Sequence, residues 1–165
     1  MYIMKFTLVL SAVITALLMA VAPSSAREPL NTKDPVEKAI KARQSYYQVV
    51  SFNAGPLFGM AKGKVAYDAK KAQEFANNLL ALTSMKNSAM WPKGSDNVAK
   101  KGKTRALPAI WDTYPKVVEA SKAFGAAVKQ LASVAGNGAD ALKPAVGALG
   151  KSCGGCHKPF RAKEF

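Results

Sequence analysis

Apolar positions recur along this chain in four long runs, at alternating steps of three and four. That spacing lays one stripe along an α-helix. The first run is Val36, Ile40, Arg43, Tyr47, Val50, Ala54 and Leu57, with an arginine standing on the apolar line. Asp34-Pro35 ahead of it supplies a capping carboxylate and a proline at the first helical position. Pro56 lacks an N–H and predicts a bend near the end of this helix. Gly63 to Tyr67 reads as its exit loop. Asp68 opens a second helix through Ala72, Phe75, Leu79 and Leu82, which fades before Trp91-Pro92. Residues from Pro92 to about Pro108 predict a long basic loop, with Ala109, Ile110 and Trp111 tucked back on the core. Thr113 and Pro115 start a third helix along Val117, Ser121, Phe124, Val128, Leu131 and Ala135. Gly136-Asn137-Gly138 stops it. Asp140 is the expected cap of a fourth helix along Leu142, Val146, Leu149, Cys153, Cys156 and Phe160.

Four amphipathic helices, two short turns and one long connection predict an all-α, up-down-up-down antiparallel four-helix bundle. Gly147 and Gly150 thin the last helix and allow close approach. Residues 1–26 read as a signal peptide and residues 27–165 as the bundle domain. Lys5 is the positive start, the apolar run goes from Phe6 to about Ala22, and Ser24-Ser25-Ala26 offers small residues for cleavage. The run falls short of the ~20 residues a membrane span needs. The expected product is exported, in a bacterium to the periplasm, with no membrane attachment after cleavage.

Charge changes the picture little. There are 24 Lys+Arg against 10 Asp+Glu, a formal +14, and +13 once Lys5 is removed. Such an excess points to acidic partners, anionic surfaces or nucleic acid. The lysines are scattered, and no aromatic-interleaved basic run or nucleic-acid motif appears. A solvated basic surface, with no nucleic-acid partner, is the simpler reading.

Candidate chemistry concentrates in Cys153-Gly154-Gly155-Cys156-His157. C-x-x-C-H is the pattern for covalent attachment of a c-type haem. Two thiols add across the porphyrin vinyl groups, and the adjacent imidazole ligates the iron. A structural zinc site wants four ligands. The chain has two cysteines and one histidine in all, so a Cys/His set stops at three. A thioredoxin-like pair would need a βαβ setting, and a disulfide across two residues closes too small a loop to stabilise much. Both cysteines continue the apolar line of the fourth helix, which places one haem c inside the bundle. Arg43 on a core-facing line is costly unless it meets an anion. A haem propionate would serve, the other possibility being that Arg43 snorkels to the bundle edge.

With these residues the chain resembles the cytochrome c′ family, the class II c-type cytochromes. The likeness rests on Arg43-Gln44, Tyr67-Asp68, Trp91-Pro92 with Gly94, Thr104-Arg105, Pro108-Ala109-Ile110-Trp111 and the C-terminal run Cys153 to Arg161. The resemblance implies that Cys153 and Cys156 are the thioether anchors and His157 the proximal iron ligand. It implies further that Arg161 lies near the proximal face, that Arg43 and Gln44 touch the haem edge, and that Arg105 with Thr104 meets a propionate. Tyr47 falls where the family covers the distal side of the iron. Homodimers through the first two helices are common in the family.

The sixth iron position decides function. No second histidine exists, and a phenol with a pKa near 10 is a reluctant ligand. Met60, Met85 and Met90 read as core filler. The expectation is a five-coordinate, high-spin haem protein, not an enzyme, that binds nitric oxide and carbon monoxide and exchanges electrons. The alternative is a dedicated low-spin electron shuttle resembling cytochrome c-556. In that case the basic surface docks an acidic redox partner.

Overall fold

The computed structural model describes residues 32–165, so the expected signal segment over residues 1–26 lies outside the described part. The described chain forms α1 (Pro35–Ala61), α2 (Ala69–Ser84), a one-turn α3 (Ala109–Asp112), α4 (Tyr114–Val134) and α5 (Ala139–Phe160). A 3-10 turn, Ser88–Met90, follows α2. Each long helix packs on two others: α1 on α2 and α5, and α4 on α2 and α5. That square is the four-helix bundle expected from the apolar spacing. No described helix is long and apolar enough to cross a membrane.

Local signals act where the sequence places them. The Asp34 carboxylate accepts the Val36 N–H at 2.8 Å, and Asp68 accepts from Lys71 N at 3.0 Å. Each meets a donor that the first helical turn leaves unsatisfied. α1 runs on through Pro56 to Ala61. The main core joins Val50, Leu57, Ala72, Leu79, Val128, Leu131, Leu142, Val146 and Leu149, drawn from all four long helices. Phe75 and Leu82 only flank it. A second, smaller cluster of Ala106, Ile110 and Phe160 holds Trp91, Trp111, Val117 and Cys156 around it. The expected tuck of residues 109–111 onto the core is this cluster.

Three expectations are corrected. Ser121 is exposed, because the start of α4 packs through Val117 and Ala120 on the second cluster instead. Asp140 is not the cap of α5. Gly138 holds that position at φ 111, a left-handed conformation glycine adopts without a Cβ clash, and exposed Asp140 lies in the first turn, 3.6 Å from Lys143. Of the two thinning glycines only Gly150 lies close to a neighbour, since a Cβ there would stand 3.2 Å from Phe58 while one at Gly147 meets nothing within 4 Å.

Tyr67 locks the turn between α4 and α5. Its hydroxyl donates to the Ala135 carbonyl at 2.9 Å and accepts from Gly138 N at 2.8 Å. Tyr67→Phe should lower unfolding free energy by about 1–2 kcal/mol, the value of the hydrogen bonds removed. Denaturant titration of the haem-loaded protein checks this, and an unchanged midpoint would show that water replaces the hydroxyl.

Candidate haem site

α5 stays helical through Cys153-Gly154-Gly155-Cys156-His157 and ends only at Phe160, beside Pro159. Helical spacing therefore sets Cys153, Cys156 and His157 on one side of its last turns. All three are half-buried. Cys153 packs against the main core and Cys156 against the second cluster, so the pair straddles the seam between them. Burial pushes both thiols up from their ordinary pKa. It pushes His157 down, aided by the positive charges of Arg161 and Arg105. The imidazole is thus held neutral at pH 7, the form whose nitrogen lone pair can ligate a metal. Arg161 brings Nη1 to 3.4 Å from His157 Nε2.

The wall across from α5 is aromatic. Tyr47 on α1 lies within electrostatic reach of both cysteines, which reinforce the rise of its phenol. Burial is the main cause of that rise, to about 12. Solvent still reaches 41% of Tyr47, so the phenol is crowded rather than sealed, and it is protonated at neutral pH either way. Its ring meets Tyr46 edge-on at 5.1 Å and Trp91 at 6.3 Å, and Trp91 in turn lies 6.4 Å from Trp111. Here the expected core line of α1 is off by one residue. Tyr46, 8% exposed, is the core residue, and its hydroxyl donates to the Leu82 carbonyl on α2. Successive residues are about 100° apart on a helix, so Tyr46 turns to α2 while Tyr47 turns to the site.

Arg43 is buried, 4% exposed, as its place on the apolar line requires. It does not snorkel. Its guanidinium donates to Met90 O, Ser95 Oγ, Ser95 O and Thr104 Oγ1, all at 2.9–3.0 Å. It also stacks 4.4 Å over the Trp91 ring. Burial lowers its pKa to about 10, and the charge is kept at neutral pH. Its partners within the chain are loop carbonyls and hydroxyls. Gln44 donates to Lys103 O at 2.8 Å, which adds to the same hold on the loop. Thr104, 3% exposed, is the arginine's acceptor and also receives the Ala106 N–H. Arg105 takes a different direction: it donates to Lys163 O and lies 5.4 Å from the Phe165 ring, clasping the C-terminal tail. Ser95 and the Met90 carbonyl carry no sequence signal for this role, since a loop serine and a backbone group look alike in any loop. Trp91 carries a family likeness in sequence, but its stacking on Arg43 is decided by tertiary contact.

A family model described as Cytochrome C′ matches residues 38–161. The chain belongs to the cytochrome c′ family. It is 36% identical to the cytochrome c′ of Cereibacter sphaeroides, over 92% of this chain and 98% of that one. It is 33% identical to cytochrome c-554 of the same species, over 78% and 96%. A solved cytochrome c′ from Rhodobacter spheriodes superposes with TM-score 0.77 at 37% identity, covering 79% of this chain and all of that one.

As a cytochrome c′ family member this is a c-type haem protein, and its residues suit the group. Two thiols and a neutral imidazole share one helix side. A Cβ on Gly154 or Gly155 would meet nothing within 4 Å, so a flat ring can approach the backbone there. Tyr47 and Trp91 offer apolar faces across from them.

Proposed function

We propose that this cytochrome c′ is a periplasmic binding protein for small gases, nitric oxide above all, that also exchanges electrons. Cys153 and Cys156 would form the thioethers, and His157 would give a nitrogen to the iron. When bound, the haem supplies the metal that takes up the gas and the electron. Arg161 orients His157 from within 3.4 Å. Arg43, Gln44 and Thr104 hold the loop beside the site, and Arg43 keeps a positive charge available to a propionate. Arg105 lies near enough to depress His157 and would serve a propionate on releasing the tail.

One observation carries this reading. The residue that α1 turns toward the two cysteines is Tyr47, whose phenol stays neutral and ligates poorly. Of the described methionines, Met60 is buried in the main core, Met85 is 44% exposed, and Met90 packs against the main core beside Trp91. A side chain that blocks without bonding leaves the sixth position to small ligands. With the one histidine committed, Tyr47 is the only candidate for a distal proton donor among the described residues, so ligand binding is favoured over catalysis. A variant of cytochrome c prime from Alcaligenes xylosoxidans, 26% identical with TM-score 0.67, has been solved as a nitrosyl complex. Another cytochrome c′, 28% identical, undergoes ligand-controlled dimer dissociation. A homodimer through α1 and α2 fits the exposure of Val49, Phe52 and Met85 along that face.

Absorption and EPR spectra of the ferric protein test the proposal. A high-spin ferric signal is expected. A low-spin spectrum with a sulfur-to-iron band would end it and favour the electron-shuttle alternative with a methionine ligand.

A further inference from the structure

We propose that the loop between α2 and α3 is the face on which an acidic redox protein docks. The inference rests on the electron-exchange half of the function above and adds where that exchange occurs. Residues 93–105 carry Lys93, Lys100, Lys101, Lys103 and Arg105 against a single acid, Asp96. That acid is turned into the loop, where it accepts the Val98 and Ala99 N–H groups at 2.9 Å. Lys100 is spent on Asp34 and Glu37. The Lys93, Lys101 and Lys103 residues are exposed to solvent, and Val98 beside them is 75% exposed. An apolar point with a cationic rim is the anatomy of a small interface, and its complement is an acidic surface.

Two further features suit docking. The loop is already ordered. Arg43 holds Ser95 and Thr104, and Asn97 N donates to Ala106 O at 2.7 Å, so little conformational entropy remains to be lost on binding. It is also fastened to the cysteine-bearing helix. Leu107 N donates to the Phe160 carbonyl at 3.0 Å and Ala162 N to the Arg105 carbonyl at 2.8 Å. A protein seated on the loop therefore sits beside the end of α5 that carries His157. The lysines at the far end of α1 and α2, such as Lys62, Lys64 and Lys70, have no such link to the site.

The test is stopped-flow reduction of the ferric holoprotein by a strongly acidic, reduced flavodoxin, across a range of ionic strength. Three variants are compared: Lys93→Glu/Lys101→Glu/Lys103→Glu, the matched distal control Lys62→Glu/Lys64→Glu/Lys70→Glu, and the single substitution Val98→Asp. The loop triple should slow the bimolecular rate by about tenfold or more at low salt and flatten its salt dependence, the range expected of lost steering. Val98→Asp should slow it several-fold. The distal triple should stay within about twofold, as charges beyond a Debye length are screened. Equal slowing by both triples would mean net charge alone acts, and no slowing would mean the loop is not the face. Either overturns the proposal. So would unchanged flavodoxin rates together with loop-dependent sedimentation on anionic phospholipid vesicles, which would assign the loop to a lipid surface. Carbon monoxide titration should be unchanged in all three variants, because the gas site is assigned to Tyr47, Cys153, Cys156 and His157, none of which is substituted. A failure of docking is thereby separable from a failure of the gas-binding site.

Discussion

Arg43→Leu should cost this protein about 2–4 kcal/mol of stability. The substitution leaves two carbonyls, the buried Ser95 O and the part-buried Met90 O, without the guanidinium that serves them. An unsatisfied buried acceptor costs about 1–3 kcal/mol. The hydroxyls suffer less, since Ser95 Oγ still donates to Pro92 O and Thr104 Oγ1 still accepts from Ala106 N. Removing the buried cation also returns its own desolvation cost, which keeps the total below the simple sum. Arg43→Lys should recover little, because an ammonium cannot reach carbonyl and hydroxyl acceptors in a fixed fork as a guanidinium does. Thermal melts of the haem-loaded protein read the loss as a drop of roughly 10 °C. Amide hydrogen exchange should quicken at Asn97, whose N–H is held to Ala106 O inside the loop that Arg43 anchors. Under the propionate-side role proposed for Arg43, the haem potential should also fall, since losing a nearby cation disfavours the reduced state. A leucine variant as stable as the wild type, with Asn97 equally protected, would show that the loop orders itself without the arginine.

Tyr47→Ala should raise the association rate of carbon monoxide with the ferrous protein by about tenfold or more. That factor corresponds to removing about 1.4 kcal/mol from the barrier to entry. The ring is held from two sides, by Tyr46 at 5.1 Å and Trp91 at 6.3 Å, so it must swing out of these contacts to admit a ligand. Alanine takes the gate away. Tyr47→Phe separates bulk from chemistry, because it keeps the ring and deletes the hydroxyl. The phenylalanine variant should bind at nearly the wild-type rate if sterics dominate. Flash photolysis gives both rates. An alanine variant no faster than the wild type would mean that the phenol does not guard the iron, and the distal role assigned to it would be lost.

Much of the architecture is carried by local chemistry. Asp34 and Asp68 cap helices where they stand, because a side-chain acceptor two or three residues from an unpaired N–H acts without distant partners. The apolar lines through Leu79, Val128, Leu131, Leu142 and Leu149 lead to the core for the same reason: a period of 3.6 leaves one face to hide. The motif from Cys153 to His157 is equally local, as is the family likeness built around it. Sequence spacing alone could not decide between neighbours such as Tyr46 and Tyr47, which differ by about 100° around one helix. Their roles depend on where α2 and α5 come to lie. Nor could it decide that Arg43 would be met by Ser95 and Thr104, 52 and 61 residues away. It could not show that Arg105 would turn to the C-terminal tail, or that Gly138 would cap α5 in place of Asp140. The caps, the helical faces and the haem-attachment motif were thus determined by residues a turn or two apart. The partner of each buried polar group was decided only when the bundle brought distant segments together, because a hydrogen bond depends on position in space and not on separation along the chain.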